Sequence, residues 1–176
     1  VRCPIAVLLC SAVAGLVPAT ASAAGPRCPG AGRGVEQIGT TAARTLTLCL
    51  LNRTRAAHGL GALRADAQLI RAAQGHSDDM VANRYFQHES RDGSGFGQRI
   101  RAAGWTRDRR SYTLGENIAY GAGPDATPRA IVWAWMHSAG HRANILDPHF
   151  RLIGIGIAVG TPDGDGGATY SADFGS

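Results

Sequence analysis

The sequence predicts an α+β fold in which helices pack on a short antiparallel sheet. Three observations carry this reading. Residues 152–159 set Ile153, Ile155, Ile157 and Val159 against Gly154 and Gly156, the two-residue period of a strand. Residues 67–83 place Leu69, Ala72, Ala73, His76 and Met80 at the three- and four-residue spacing of one helical face. Residues 162–167 have the composition of a hairpin turn, and residues 168–174 read as the partner strand. Helices grouped around a few antiparallel strands belong to the α+β class.

In chain order, the first 23 residues read as a signal peptide. Arg2 supplies the charge, residues 5–17 the apolar run, and Ala21-Ser22-Ala23 the small residues of a cleavage site. The run is shorter than a bilayer-spanning helix, and no second apolar segment of that length follows. Cys10 is poorly placed for a lipid anchor, because Leu9 precedes it and it sits early. The expected product is a secreted, soluble monomer beginning at Ala24 and retaining Cys28 and Cys49. An exported chain meets an oxidising compartment, so these two pair. Closing a loop of roughly 20 residues contributes about 3 kcal/mol in the chain-entropy model.

Residues 24–40, rich in Gly, Pro and Ala, are expected to form an irregular strap, with the domain proper over 41–176. A helix is predicted over about 41–58, stopped by Gly59 and Gly61. Asp66 is placed to cap the helix over 67–83. A short helix follows over about 96–103, then an extended segment over 112–120. Thr127 before Pro128 starts another helix, since proline suits the first helical position. That helix is expected to end at Gly140, releasing His141 at a break in the chain. The close pair Gly154 and Gly156 predicts another element passing against that face of the strand.

The formal charge is +5, and all 18 basic residues are arginine. They are scattered; the only dense run, residues 107–110, contains Asp108. Without a basic helix face or interleaved aromatics this excludes a nucleic-acid footprint.

The chemistry rests on histidines and one acid. His58 and His149 read as helix-end and loop residues, and His137 points away from Trp135. His76 lies on an apolar helical face, where a hydrogen-bonded core histidine is favoured over a ligand. His88 and His141 lie in irregular or broken backbone, and Glu116 sits between a glycine and an amide ahead of an apolar run. Two imidazoles and a carboxylate suit either an open zinc site or shared proton transfer. Their separations, 28 and then 25 residues, match no local metal motif. No serine sits in a nucleophile elbow. Asp163 and Asp165 lack the remaining ligands of a calcium loop.

The runs Leu51-Asn52-Arg53-Thr54-Arg55, His76-Ser77-Asp78-Asp79-Met80, Phe86-Gln87-His88, Gly115-Glu116-Asn117-Ile118-Ala119, Trp135 to Leu146 and Asp173-Phe174-Gly175 occur in this order. The ordered set resembles the SCP domain of bacterial secreted members of the CAP superfamily, from about Arg44 to Gly175. The resemblance implies an α-β-α sandwich, a small antiparallel sheet between helical layers, with a wide cleft. It implies a cleft tetrad of two histidines and two acids, the histidines binding zinc in some members. By motif these are His88, Glu116 and His141, while Ser138 stands where the second acid is expected. Asn117 and Ser138 would support the site. The expected function is an extracellular binding module for a peptide, cell-wall or lipid ligand, with zinc as the implied ion. Two alternatives stand beside it. One is a zinc-assisted hydrolase acting on peptide or cell-wall material, with Glu116 activating water. The other is a lipid or sterol carrier using a groove near Trp133, Trp135 and Tyr120.

Overall fold

The computed structural model describes residues 27–176. The expected signal peptide, residues 1–23, and the start of the strap lie outside the described residues. The main elements, in order, are α1 (Val35–Ala57), β1 (Arg64–Ala65), α2 (Ala67–Ala82), α3 (Phe96–Ala102), β2 (Leu114–Gly121), α4 (Pro128–Met136), α5 (Ala139–Leu146), β3 (Leu152–Val159) and β4 (Ala168–Gly175). The strand order is β1-β3-β4-β2. β3–β4 and β4–β2 are antiparallel, and the two-residue β1 adds a parallel pair to β3 that the expected all-antiparallel sheet did not contain. Helices cover both faces, so the α-β-α sandwich is present.

Strand alternation divides the layers. Ile153, Ile155 and Ile157 on β3 join Tyr170, Ala172 and Phe174 on β4 in one apolar cluster with Leu50 and Leu51 of α1, Trp135 of α4 and Ile145 of α5. The opposite face carries α2 at very short range. A Cβ on Gly154 would lie 1.9 Å from the carbonyl carbon of Leu69, and one on Gly156 would lie 2.2 Å from that of Ala73. The glycines therefore let the helix backbone rest on the strand. A smaller cluster of Leu69, Ala72, Ile100 and Trp105 packs α3 onto α2.

Local capping explains where several helices start. The Asp66 carboxylate accepts from the backbone N–H groups of Gln68 (2.8 Å) and Leu69 (3.0 Å), relieving two unpaired donors of α2. Thr127 Oγ1 accepts from Ala130 N at 3.2 Å, with Pro128 first in α4. Cys28 and Cys49 are bridged, their Cα atoms 6.0 Å apart, tying the strap to α1. Three expectations are corrected. The strap predicted to residue 40 ends at Gly34, and α1 starts at Val35 with a break at Gly39, whose φ of 78° only glycine adopts freely. Gly140 does not end a helix: α4 stops at Met136, His137–Ser138 form the junction, and Gly140 lies inside α5. His141 is therefore held in the first turn of a helix rather than leaving one.

Arg55 is the buried charge of the apolar layer. Its guanidinium donates to the carbonyls of Gly61 (2.7 Å), Ile145 (2.8 Å), Asp147 (2.9 Å) and Phe150 (3.2 Å), so it gathers the end of α5 and the following loop onto α1. Among the described residues no helix is long and apolar enough to cross a membrane.

Candidate functional site

The site is built on β2, an edge strand, because its alternation sends successive residues to opposite faces of the sheet. Glu116 turns to the α2 side and Asn117 to the α5 side. The Glu116 side chain is fully buried, and both oxygens are engaged. Oε2 accepts from Arg99 Nη2 of α3 at 2.6 Å, and Oε1 accepts from His88 Nδ1 at 2.7 Å. Burial alone would raise the Glu116 pKa; the His88 hydrogen bond and the Arg99 charge outweigh it and hold the carboxyl below its ordinary value. The same bond raises the His88 pKa against the opposing effect of burial. With Nδ1 bonded to a carboxylate, Nε2 is left without a partner among the described residues, on a side chain 47% exposed.

Arg99 fixes more than the carboxylate. Its Nη1 donates to the His88 carbonyl (2.9 Å), the Ser94 carbonyl (2.9 Å) and Ser90 Oγ (3.2 Å), holding the His88 loop over β2. His76 of α2 is buried, with Nε2 donating to the Gln87 carbonyl at 3.0 Å and lying 4.0 Å from Glu116 Oε2. Burial depresses its pKa, so it is a neutral core histidine that also borders the cluster.

Asp173 completes the buried group. It pairs with Glu116 in the β2–β4 register, and no donor from elsewhere among the described residues reaches either carboxyl oxygen. Burial, and then the negative charge on Glu116, push its pKa well above the usual carboxylate range. The Asp173 carboxyl, unpartnered among the described residues, therefore holds its proton more tightly than an ordinary aspartate.

On the other side of β2, Asn117 Nδ2 donates to the His141 carbonyl at 3.0 Å. Asn144 Nδ2 donates to Asn117 Oδ1 (2.9 Å) and to the Glu116 carbonyl (3.2 Å). These amides pin α5 to the edge strand and set the position of His141. The His141 ring is half-buried; burial first, then the charge on His88, lower its pKa.

Of His88, Glu116 and His141, 53 residues apart end to end, the first two are hydrogen-bonded to one another, and His141 is tied to the same strand through Asn117. Asn117 bonds the His141 carbonyl, whereas the Ser138 side chain makes no hydrogen bond among the described residues and marks only the start of α5. Arg99, Asn144 and Asp173 have no counterpart among the residues expected from the sequence. Arg99 looks like solvated surface on a short helix, and Asp173 occupies the polar phase of an alternating strand. That polar phase was the available signal, because Ser171 and Asp173 face Gly156 and Gly154, the glycines that announce a helix close above.

A metal fits this site only in part. Among the described residues no group of three or more His, Cys, Asp or Glu side chains is arranged to hold an ion. The expected three-ligand set fails because both Glu116 oxygens are already bonded. What remains is two imidazoles with free nitrogens, with Glu116 behind His88 in the position of a carboxylate that orients a ligand. The expected apolar groove is not assembled. Trp135 is buried, its Nε1 donating to the Ile118 carbonyl at 3.1 Å. Tyr120 packs edge-to-face on Phe86 at 4.8 Å, and Trp133 stands on the outer face of α4, stacked with His137. His58 and His149 bond to neighbours in their own turns, as expected.

The family model of the cysteine-rich secretory proteins matches residues 48–174, so this chain belongs to the CAP family. The protein YkwD of Bacillus subtilis is 43% identical over 109 residues, covering 61% of this chain and 39% of YkwD. The membrane protein YlbC of the same organism is 35% identical over 124 residues, covering 69% of this chain and 33% of YlbC. The chain thus spans well under half the length of these relatives. An extracellular SCP-domain protein of Bacillus anthracis superposes with a TM-score of 0.63 at 30% identity, over 76% of this chain and 40% of that one. An outer surface protein of Borrelia burgdorferi shares the fold alone, with a TM-score of 0.61 at 21% identity over 75% of this chain and 90% of that one.

Proposed function

We propose that this chain is an extracellular binding module whose ligand site is the pair of imidazoles His88 and His141 at the β2 edge, able to take a divalent ion such as zinc. The carrying observation is the relay Arg99–Glu116–His88, which fixes the ring through Nδ1 and leaves Nε2 free. A carboxylate behind a ligating histidine fixes its tautomer and raises its basicity. A bound zinc would supply a Lewis-acid anchor for a carbonyl or carboxylate of a peptide or cell-wall ligand. Glu116 serves this reading as an orienting group. It has no free oxygen and a lowered pKa, which leaves the hydrolase reading without its base. The extracellular setting draws support from the bridged cysteines and from the relatives described as extracellular or outer-surface proteins.

Calorimetric zinc titration tests the proposal. Wild type should take one ion, and the His88→Ala/His141→Ala double variant should lose it. Glu116→Gln should weaken binding about 10–100-fold, the range for loss of an orienting partner. Zinc uptake by the double variant equal to wild type would sink the site.

A further inference from the structure

The α1–α4 surface carries a second feature, remote in the sequence from His88 and Glu116. A groove of about 220 Å³ is lined by Leu50, Arg53 and Thr54 of α1 and by Arg129, Val132, Trp133 and Met136 of α4. Trp133 is 62% exposed, far more than any other tryptophan here: Trp105 is 2% and Trp135 0% exposed. Its indole is held rather than loose. His137, one turn on, stacks against it with ring centroids 3.9 Å apart and planes 25° from parallel, while His137 Nδ1 bonds the Trp133 carbonyl at 2.8 Å. Arg53 and Arg129 line the same groove, and neither guanidinium has a hydrogen-bond or ion-pair partner among the described residues. An immobilised aromatic loses little entropy on binding, and an unpaired guanidinium is the side chain best suited to grip a carboxylate.

We infer that this groove is a binding site for an acidic polysaccharide, in which one sugar ring lies against Trp133 and its carboxylate is held by Arg53 or Arg129. The groove is smaller than the roughly 300–1,000 Å³ of sites that enclose a whole small ligand. It suits a single ring of a chain that continues across the surface. Sugars present a flat face of C–H groups that packs on an indole, and a ring-borne carboxylate reaches sideways to a cation. The two arginines of the groove make the charge complementarity, and the chain as a whole carries a formal charge of +5. A membrane surface is the weaker occupant. Binding to lipid needs a continuous apolar face, and none of the other exposed large hydrophobics among the described residues, Phe86, Tyr112, Tyr120 and Val159, lines this groove.

The test uses the whole chain with hexagalacturonate as probe, followed by calorimetry and by tryptophan emission, which reports chiefly on Trp133 because the other two indoles are buried. Hexagalacturonate should shift the emission and bind with an affinity that falls as salt rises. Arg53→Gln/Arg129→Gln should weaken it about tenfold or more, the scale of a lost charge-assisted bond. Trp133→Ala should abolish calorimetric binding, while His88→Ala/His141→Ala should leave it unchanged, separating this site from the imidazole cleft. Equal affinity for uncharged cellohexaose would overturn the proposal. So would binding to phosphatidylglycerol vesicles with none to the oligosaccharide, or wild-type affinity in the double arginine variant, which retains the exposed tryptophan and should fold normally.

Discussion

On the α1–α4–α5 face of the sheet, β3 and β4 contribute isoleucines, tyrosine, alanine and phenylalanine to one continuous core. On the α2 face, the residues alternating with them are Gly154, Gly156, Ser171 and Asp173, and the edge strand adds Glu116. The first face gains stability by filling space with apolar volume. The second gives up side-chain volume so that α2 rests on the strand backbone, and the polar groups brought under it must satisfy one another. Ser77 of α2 donates to Ser171 Oγ at 2.9 Å, Arg99 and His88 saturate Glu116, and burial raises the Asp173 pKa. The stabilising face and the functional face thus share strands but follow opposite rules. The helix that roofs the polar face is what excludes water from Glu116.

The largest expected effect tests the close approach. Gly156→Ala places a methyl where the Ala73 backbone lies, and α2 must lift along its length. The loss should be about 4 kcal/mol or more in urea unfolding, beyond ordinary overpacking. A loss under about 1 kcal/mol would show that the α2 layer is not pressed on the sheet as described. Next, Arg55→Ala removes the buried charge of the apolar face and orphans four carbonyls. A cost of about 3 kcal/mol is expected, with Arg55→Lys recovering only part because an ammonium cannot span all four. Full recovery by lysine would break the account of that layer.

The smallest effect concerns Asp173 and carries a sign. Its pKa is raised in the folded state, so folding takes up a proton wherever the unfolded residue is ionised. Its contribution is fully present below the ordinary aspartate pKa, about 3.9, and declines as pH rises above it. Asp173→Asn removes the ionisable group, so no charge is buried beside Glu116 at any pH. It should therefore raise the Tm at pH 7 by a few degrees, about 1 kcal/mol, and change it little at pH 3.5. A lower Tm at pH 7 would show that Asp173 is ionised and paired instead.

Much of the fold is legible in the chain itself. Asp66, Thr127–Pro128 and the Ile/Gly alternation of β3 act through neighbours a few residues away, and helix starts and strand faces depend on such short-range bonds. The expectation of a set His88, Glu116 and His141 rests on the order of family motifs rather than on spacing, and the bond between the first two is what the fold shows of it. Gly140 misleads because a glycine near a helix end is also tolerated inside the first turn of the next one, and only the chain's path from α4 to α5 distinguishes the two.

Most of the helices and strands follow from the amino-acid order alone, because propensity, capping and periodicity are written in adjacent residues; β1 and the break between α4 and α5 do not. The Cys28–Cys49 pairing follows from it as well, by cysteine count in an exported chain. The roles of the site residues were left to the tertiary fold. Arg99, Glu116 and Asp173 lie 17 and 57 residues apart along the chain. Whether a carboxylate is a ligand, a base or an orienting group depends on which charges burial brings within a few ångströms of it. That depends on how closely α2 and α3 settle on the sheet, which no local pattern records.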